Sequence, residues 1–169
     1  MAIFIDHWPN EAIRSYLVIV ESKREITFLR LGSISVSITE ETKIKILIVD
    51  RHEAVRRALR IRLSASLQLE VIGAASDPDE ALANLGTDRP DVIIFGLQNG
   101  SDEDLFQTAI AVRNMVKEIP TVIVLAPYVD SVERDLLLQA GAKRYLLKHI
   151  NSTNLIHEIE LAVSHKPLA

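Results

Sequence analysis

The chain has no cysteine, a single tryptophan and, near its N-terminus, no uninterrupted apolar stretch longer than Tyr16 to Val20. Without thiols there are no disulfides, thiolate metal sites or cysteine nucleophiles, as suits a reducing compartment. A five-residue apolar stretch is far short of a membrane span or a signal-peptide core, so a cytoplasmic location without membrane association is expected. Positive charge is also in deficit: 19 Lys and Arg against 23 Asp and Glu leave a net charge of -4, a poor match to a phosphate backbone. Direct binding of nucleic acid is not expected. The turn Asp50-Arg51-His52 is not glycine-rich, which argues against a nucleotide cofactor. His149, His157 and His165 are eight apart, not the three to five of one helix face, so no metal site and no cofactor are expected.

What the chain does have is a core-forming pattern. Hydrophobic residues make up 48% of 169 residues, enough for one domain with an appendage but not for two full-sized domains. From Lys43 onward, apolar runs alternate with segments of helical period, the signature of a parallel sheet with crossover helices. The pattern predicts strands at 44–49, 69–74, 91–95, 121–126 and 144–147, and helices at 52–65, 78–85, 102–117, 130–140 and 152–164. The strands are rich in Ile and Val on successive residues, which implies burial on both faces. Punctuation agrees: Asp77-Pro78-Asp79-Glu80 starts a helix and Gly86 is expected to end it, while Asp130 or Ser131 with Glu133 starts another that Gly141 ends. Ser152 is expected to cap the last helix, and Pro90 and Pro120 break any helix before the strands that follow them.

Four strand ends meet at one edge of such a sheet: IKILIVD (44–50), DVIIFG (91–96), TVIVLA (121–126) and RYLLK (144–148). In open parallel sheets the carboxyl edge is where ligands bind. Here it offers Asp50, Gly96, Ala126 and Lys148. One acid and one base without a nucleophile or a hydroxyl are poorly equipped for catalysis, so no enzyme and no small-molecule substrate are expected.

The segments ILIVDRH (46–52), RPDVIIFGL (89–97), VIVLAP (122–127) and AGAKRYLLK (140–148) resemble the corresponding blocks of the response-regulator receiver domain. The YLLK block is most similar to receivers of the subclass that precede helix-turn-helix output domains; no such domain follows within the 169 residues. The resemblance implies an α/β, doubly wound, five-stranded parallel sheet of flavodoxin-like receiver fold, strand order 2-1-3-4-5, over 43–166, with a small N-terminal extension over 1–42. It implies a phosphorylation pocket in which two acids after the first strand and an aspartate after the third bind Mg²⁺. That aspartate accepts a phosphoryl group, and a hydroxyl and a lysine on the last two strands contact it.

Set against that pattern, the pocket is degenerate. Asp50 keeps one acid, Arg51 replaces the other, Gly96 stands at the phosphoacceptor position, Ala126 at the hydroxyl position and Lys148 at the lysine position. Tyr145 matches the aromatic that swings on activation. Magnesium prefers an octahedral oxygen shell with one or two carboxylates plus water and phosphate, and one carboxylate beside a guanidinium supplies it poorly. Glycine cannot attack a phosphodonor. Asp102 and Asp104 nearby are explained by a helix start. A salt bridge between Lys148 and Asp50 is expected, and His52 is expected to be structural or solvent-facing.

Leu136, Leu137 and Leu138 cannot all face one core, because neighbours on a helix are about 100° apart. Leu136 and Leu161 are therefore interface candidates, with Leu155, Ile156, Ile159 and Val163 as the core stripe of the last helix. The extension resembles no family. Asn10 to Lys23 reads as a short amphipathic helix, and 26–31 and 34–39 as a hairpin about Gly32-Ser33, pairing Leu29 with Val36 and Thr27 with Ile38. The segment is either a docking or dimerisation element with Trp8 as anchor, a disordered stretch, or upstream sequence from a wrong start codon. Three functions remain open: a non-phosphorylatable receiver acting by contact with a signalling protein or a second copy; a regulator of a transcription factor through a partner's DNA-binding domain; and a small-anion sensor using a vacant pocket.

Overall fold

The computed structural model describes residues 43–86, 88–98, 104–119 and 121–164, together with the backbone of three strands at 16–20, 25–30 and 35–39. Trp8, Gly32, Ser33, Asp102, Pro120 and His165 lie outside the described residues. The chain divides into two compact units, Met1–Thr42 and Lys43–Ala169.

In the first unit β1 (Tyr16–Val20), β2 (Glu25–Arg30) and β3 (Ser35–Thr39) form an antiparallel sheet in that order. Tyr16–Val20 is thus a strand where a helix was expected. A five-residue apolar run with two valines and an isoleucine has strand composition, and so short a stretch of helical spacing cannot overrule it. The hairpin register also differs by one residue: Leu29 pairs with Ser35, Thr27 with Ser37, Ile26 with Ile38 and Phe28 with Val36. This register sets Ile26 against Ile38, Phe28 against Val36 and Thr27 against Ser37, and leaves Leu29 opposite a serine. A shift of one residue changes every cross-strand partner, so the pairing of whole strands decides the register.

The second unit runs β4 (Ile44–Val49), α1 (Glu53–Leu63), β5 (Leu69–Ala75), α2 (Pro78–Ala83), β6 (Val92–Gly96), α3 (Leu105–Glu118), β7 (Val122–Ala126), α4 (Ser131–Gln139), β8 (Arg144–Leu147) and α5 (Ser152–Ser164). The five strands pair in parallel in the order β5-β4-β6-β7-β8. Alternate side chains divide the core. Val49, Ile93, Phe95, Val124 and Ala126 pack with Val112, Met115 and Leu137 of α3 and α4, whereas Ile48, Ile94, Ile123 and Leu125 pack with Leu59, Leu63, Leu155 and Ile159 of α1 and α5. Every residue of β6 and β7 is buried, as a sheet covered on both faces requires. The expected sheet, its strand order and its flanking helices are all present.

Helix ends follow the local chemistry with two exceptions. Asp77 accepts the Glu80 N–H, Asp130 the Glu133 N–H and Asp104 the Phe106 N–H. Gly141 closes α4 at φ +114, the left-handed conformation that favours glycine. Gly86 does not adopt that conformation; α2 ends at Ala83 with Asn84 at φ -95. At α5 the cap is Asn151, whose side chain accepts the Asn154 N–H at 2.8 Å. The Ser152 hydroxyl instead accepts from Arg62 Nε at 3.2 Å. Among the described residues no helix is long and apolar enough to cross a membrane.

Candidate functional site

The carboxyl edge of the sheet is assembled by backbone bonds before any side chain acts. The Asp50 N–H donates to the Ala75 carbonyl at 3.2 Å, and the Lys148 N–H to the Ala126 carbonyl at 2.7 Å. These bonds carry the ladders one residue past the strands and aim Asp50 and Lys148 inward from either side of β6.

The Asp50 side chain is completely buried and fully engaged. Its Oδ2 accepts from Lys148 Nζ at 2.6 Å, and its Oδ1 from the His52 N–H at 2.8 Å. The ion pair expected from the sequence is therefore present, between residues 98 apart in the chain. Lys148 keeps 21% of its side chain exposed, so the ammonium closes the crevice from the solvent side. A buried carboxylate costs several kcal/mol unless its lone pairs are met, and here two charge-stabilising donors meet them. Among the described residues no buried side-chain nitrogen or oxygen lacks a partner.

Gly96 lies directly beneath. A Cβ at position 96 would stand 1.9 Å from Asp50 Oδ2 and 2.8 Å from its Cγ. The Asp50 carboxylate therefore leans into the space that any side chain at 96 would need. Ala126 is buried and contributes a methyl, not a hydroxyl. Arg51 is exposed and makes no ion pair with Asp50. The His52 side chain is 60% exposed, its Nδ1 3.5 Å from Asp50 Oδ1.

Magnesium does not fit this arrangement. Among the described residues the one carboxylate in the crevice has both oxygens occupied, its neighbour is a guanidinium, and no group of three or more His, Cys, Asp or Glu side chains is placed to hold a metal ion. Asp104 is no substitute, because its carboxylate caps α3.

Tyr145 ties the last strand to α4. Its hydroxyl donates to Glu133 Oε1 at 2.6 Å, with the Tyr128 carbonyl 3.2 Å away. Burial and the adjacent Glu133 carboxylate hold the phenol proton on, well above the ordinary value of 10.0. Below Tyr145, Arg144 Nε donates to Glu158 Oε2 of α5 at 2.8 Å.

Arg56 and Arg62 were not legible as site residues. Arg56 Nη1 donates to the carbonyls of Asp50 at 2.7 Å and Arg51 at 3.0 Å, bracing the loop that carries Asp50. Arg62 holds the loop after β8 through the Ile150 carbonyl and the Ser152 hydroxyl. Their helix spacing from the strand end was a usable signal for Arg56; nothing local pointed Arg62 at residues ninety positions away. Of the leucine trio, Leu137 is buried and the exposed member is Leu138 at 39%, not Leu136, which is half-buried, as is Leu161. A groove of about 400 Å³ beside Tyr145 is lined by Val129, Arg134, Leu146, Leu147, His149 and Ile150.

The chain is similar to known proteins. Over 124 residues the chain is 32% identical to the transcriptional regulatory protein LiaR of Bacillus subtilis, covering 73% of this chain and 58% of that protein. It is 32% identical over 122 residues to the DNA-binding transcriptional activator DevR/DosR of Mycobacterium tuberculosis, covering 69% and 53% respectively. The chain thus spans about half the length of these curated relatives. Among solved structures, the signal receiver domain of NarL from M. tuberculosis superposes with a TM-score of 0.62 at 26% identity, covering 74% of this chain and 99% of that domain. The response regulator receiver domain profile matches residues 46–160, from within β4 into α5, and takes in every strand end that builds the Asp50–Lys148 crevice. By that match, and by the five-stranded sheet that carries it, this chain belongs to the response regulator receiver domain family.

Proposed function

We propose that the chain is a receiver module of two-component signalling that takes no phosphoryl group and works in the cytoplasm by contact with a protein partner. The observation that carries this reading is Gly96 at the end of β6, with the Asp50 carboxylate seated over it and held by Lys148. Aspartyl phosphorylation needs a carboxylate free to attack and a metal to shield the incoming charge. Position 96 has no side chain, and the nearest carboxylate is buried and paired. The degenerate pocket in this reading comprises Asp50, Arg51, Gly96, Ala126 and Lys148, and the partner surface includes the groove beside Tyr145.

The test is incubation of the full chain with a small-molecule phosphodonor and Mg²⁺, followed by intact-mass measurement. The mass is expected to stay unchanged. A phosphoryl adduct labile to hydroxylamine would overturn the reading.

A second reading has its own support. The curated relatives are named as transcriptional regulators, which supports regulation of transcription, through a partner's DNA-binding domain, as the output. Co-purification from the native host with a DNA-binding protein supports it; a partner set without one counts against it. The small-anion reading is disfavoured, because Lys148, the cation an anion would need, is already paired with Asp50.

A further inference from the structure

β8 is held at both ends by side-chain bonds that do not involve any ligand. At its start Tyr145 reaches α4 through Glu133, and just past its end Lys148 reaches β4 through Asp50. Residues 145 and 148 are three apart, so one short strand is fixed to two different elements on opposite sides. Arg144 adds a bond to Glu158 of α5, and Arg62 secures the loop that follows.

We propose that the Lys148–Asp50 pair over Gly96 and the Tyr145–Glu133 bond act together as a clamp that keeps β8 and α4 in a single conformation, with no phosphate or metal required. This rests on the reading of the module as non-phosphorylatable and adds what the empty acceptor position does. The missing side chain at 96 is the space into which Asp50 leans to meet Lys148; any Cβ there would lie 1.9 Å from the bonded oxygen. Glycine at 96 is therefore a structural requirement of the clamp as well as the loss of a nucleophile. A receiver that switches must let its lysine and its aromatic change partners. Here each has a charge-assisted bond of 2.6 Å to a carboxylate, and releasing Lys148 strands a buried anion. The face of α4 and β8 is then presented constantly, and control passes to the abundance or competition of whatever binds it.

Nitrogen-15 relaxation dispersion across residues 128–150 of the full chain tests the clamp, because it reads microsecond-to-millisecond exchange directly. The native chain is expected to give flat profiles. Tyr145→Phe and Gly96→Ala are expected to introduce exchange contributions at β8 and the start of α4 that the native chain lacks. The double variant Asp50→Asn with Lys148→Met removes the second bond without leaving an orphan charge, so it keeps the test valid if a single charge deletion fails to fold. Exchange at Tyr145 to Lys148 in the native chain would overturn the proposal, as would flat profiles in all three variants. A phosphoryl adduct in the mass measurement sinks the functional reading. Exchange without an adduct sinks only the clamp.

Discussion

Both ends of the parallel sheet carry ion pairs, but in opposite surroundings. At the amino edge Arg89 pairs with Glu118 at 2.7 Å and Lys45 with Asp88, with side chains between about a third and two thirds exposed. At the carboxyl edge Lys148 meets an aspartate with no exposure at all. The distances are alike; the solvent is not. Water screens the first group and competes for its charges, while the second holds a carboxylate that has nowhere else to find a partner. Only the carboxyl edge can therefore act as a constraint on conformation, although both edges look equally well paired on paper.

Breaking the buried pair by Lys148→Met is expected to give the largest effect, a loss of about 3 kcal/mol in denaturant unfolding. The double variant with Asp50→Asn should recover most of it, since an unpaired anion causes more of the damage than the lost attraction. No recovery would mean that the pair's own attraction dominates and that the comparison between edges is drawn wrongly.

Gly96→Ala comes next, at about 2 kcal/mol, because a methyl group must displace the Asp50 carboxylate from a packed interior. Gly86→Ala is its control: nothing lies within 4 Å of a Cβ there, and stability should change little. Equal effects at the two glycines would show that the carboxylate yields without cost.

Tyr145→Phe is expected to lose about 1 kcal/mol near neutral pH. Its pH dependence has a definite sign. Because the folded phenol holds its proton above the ordinary value of 10.0, its contribution is complete below that pH and fades as pH rises through the folded value. The native chain should therefore lose stability on the alkaline side faster than Tyr145→Phe does. Parallel stability curves for the two proteins would remove the hydrogen bond to Glu133 from the account.

Smallest of all is Arg89→Ala at the exposed edge, at most about 0.5 kcal/mol and diminishing with added salt. A loss comparable to that of Lys148→Met would erase the distinction between the edges.

Much of this was legible in advance, and the parts that were not share a cause. The helices α1 to α5 and strands β4 to β8 follow from apolar period, proline positions and caps such as Asp77 and Asp130, all fixed by near neighbours in the chain. The Asp50–Lys148 bond was also readable, because the strand order puts both residues at one edge and Asp50 is the only strand-end acid there. Arg62 was not, since its target at Ile150 depends on how α1 lies against α5. The trio at 136–138 could be read only as needing one exposed member; which one depends on the rotation of α4 about its axis. The one-residue register shift between β2 and β3 belongs here too, because the local sequence suits either register and the choice is made by the pairing itself.

The order of elements from β4 to α5, the parallel sheet and the absence of a side-chain nucleophile at position 96 could be read from the residues alone, because backbone preference, two-residue and 3.6-residue periodicity and side-chain chemistry are local properties. The seating of the Asp50 carboxylate over Gly96 and the turn of Tyr145 toward Glu133 were settled in the folded chain. Those choices are made by which side chains find themselves shut away from water together, a condition that exists only once the sheet has closed and its helices cover both faces.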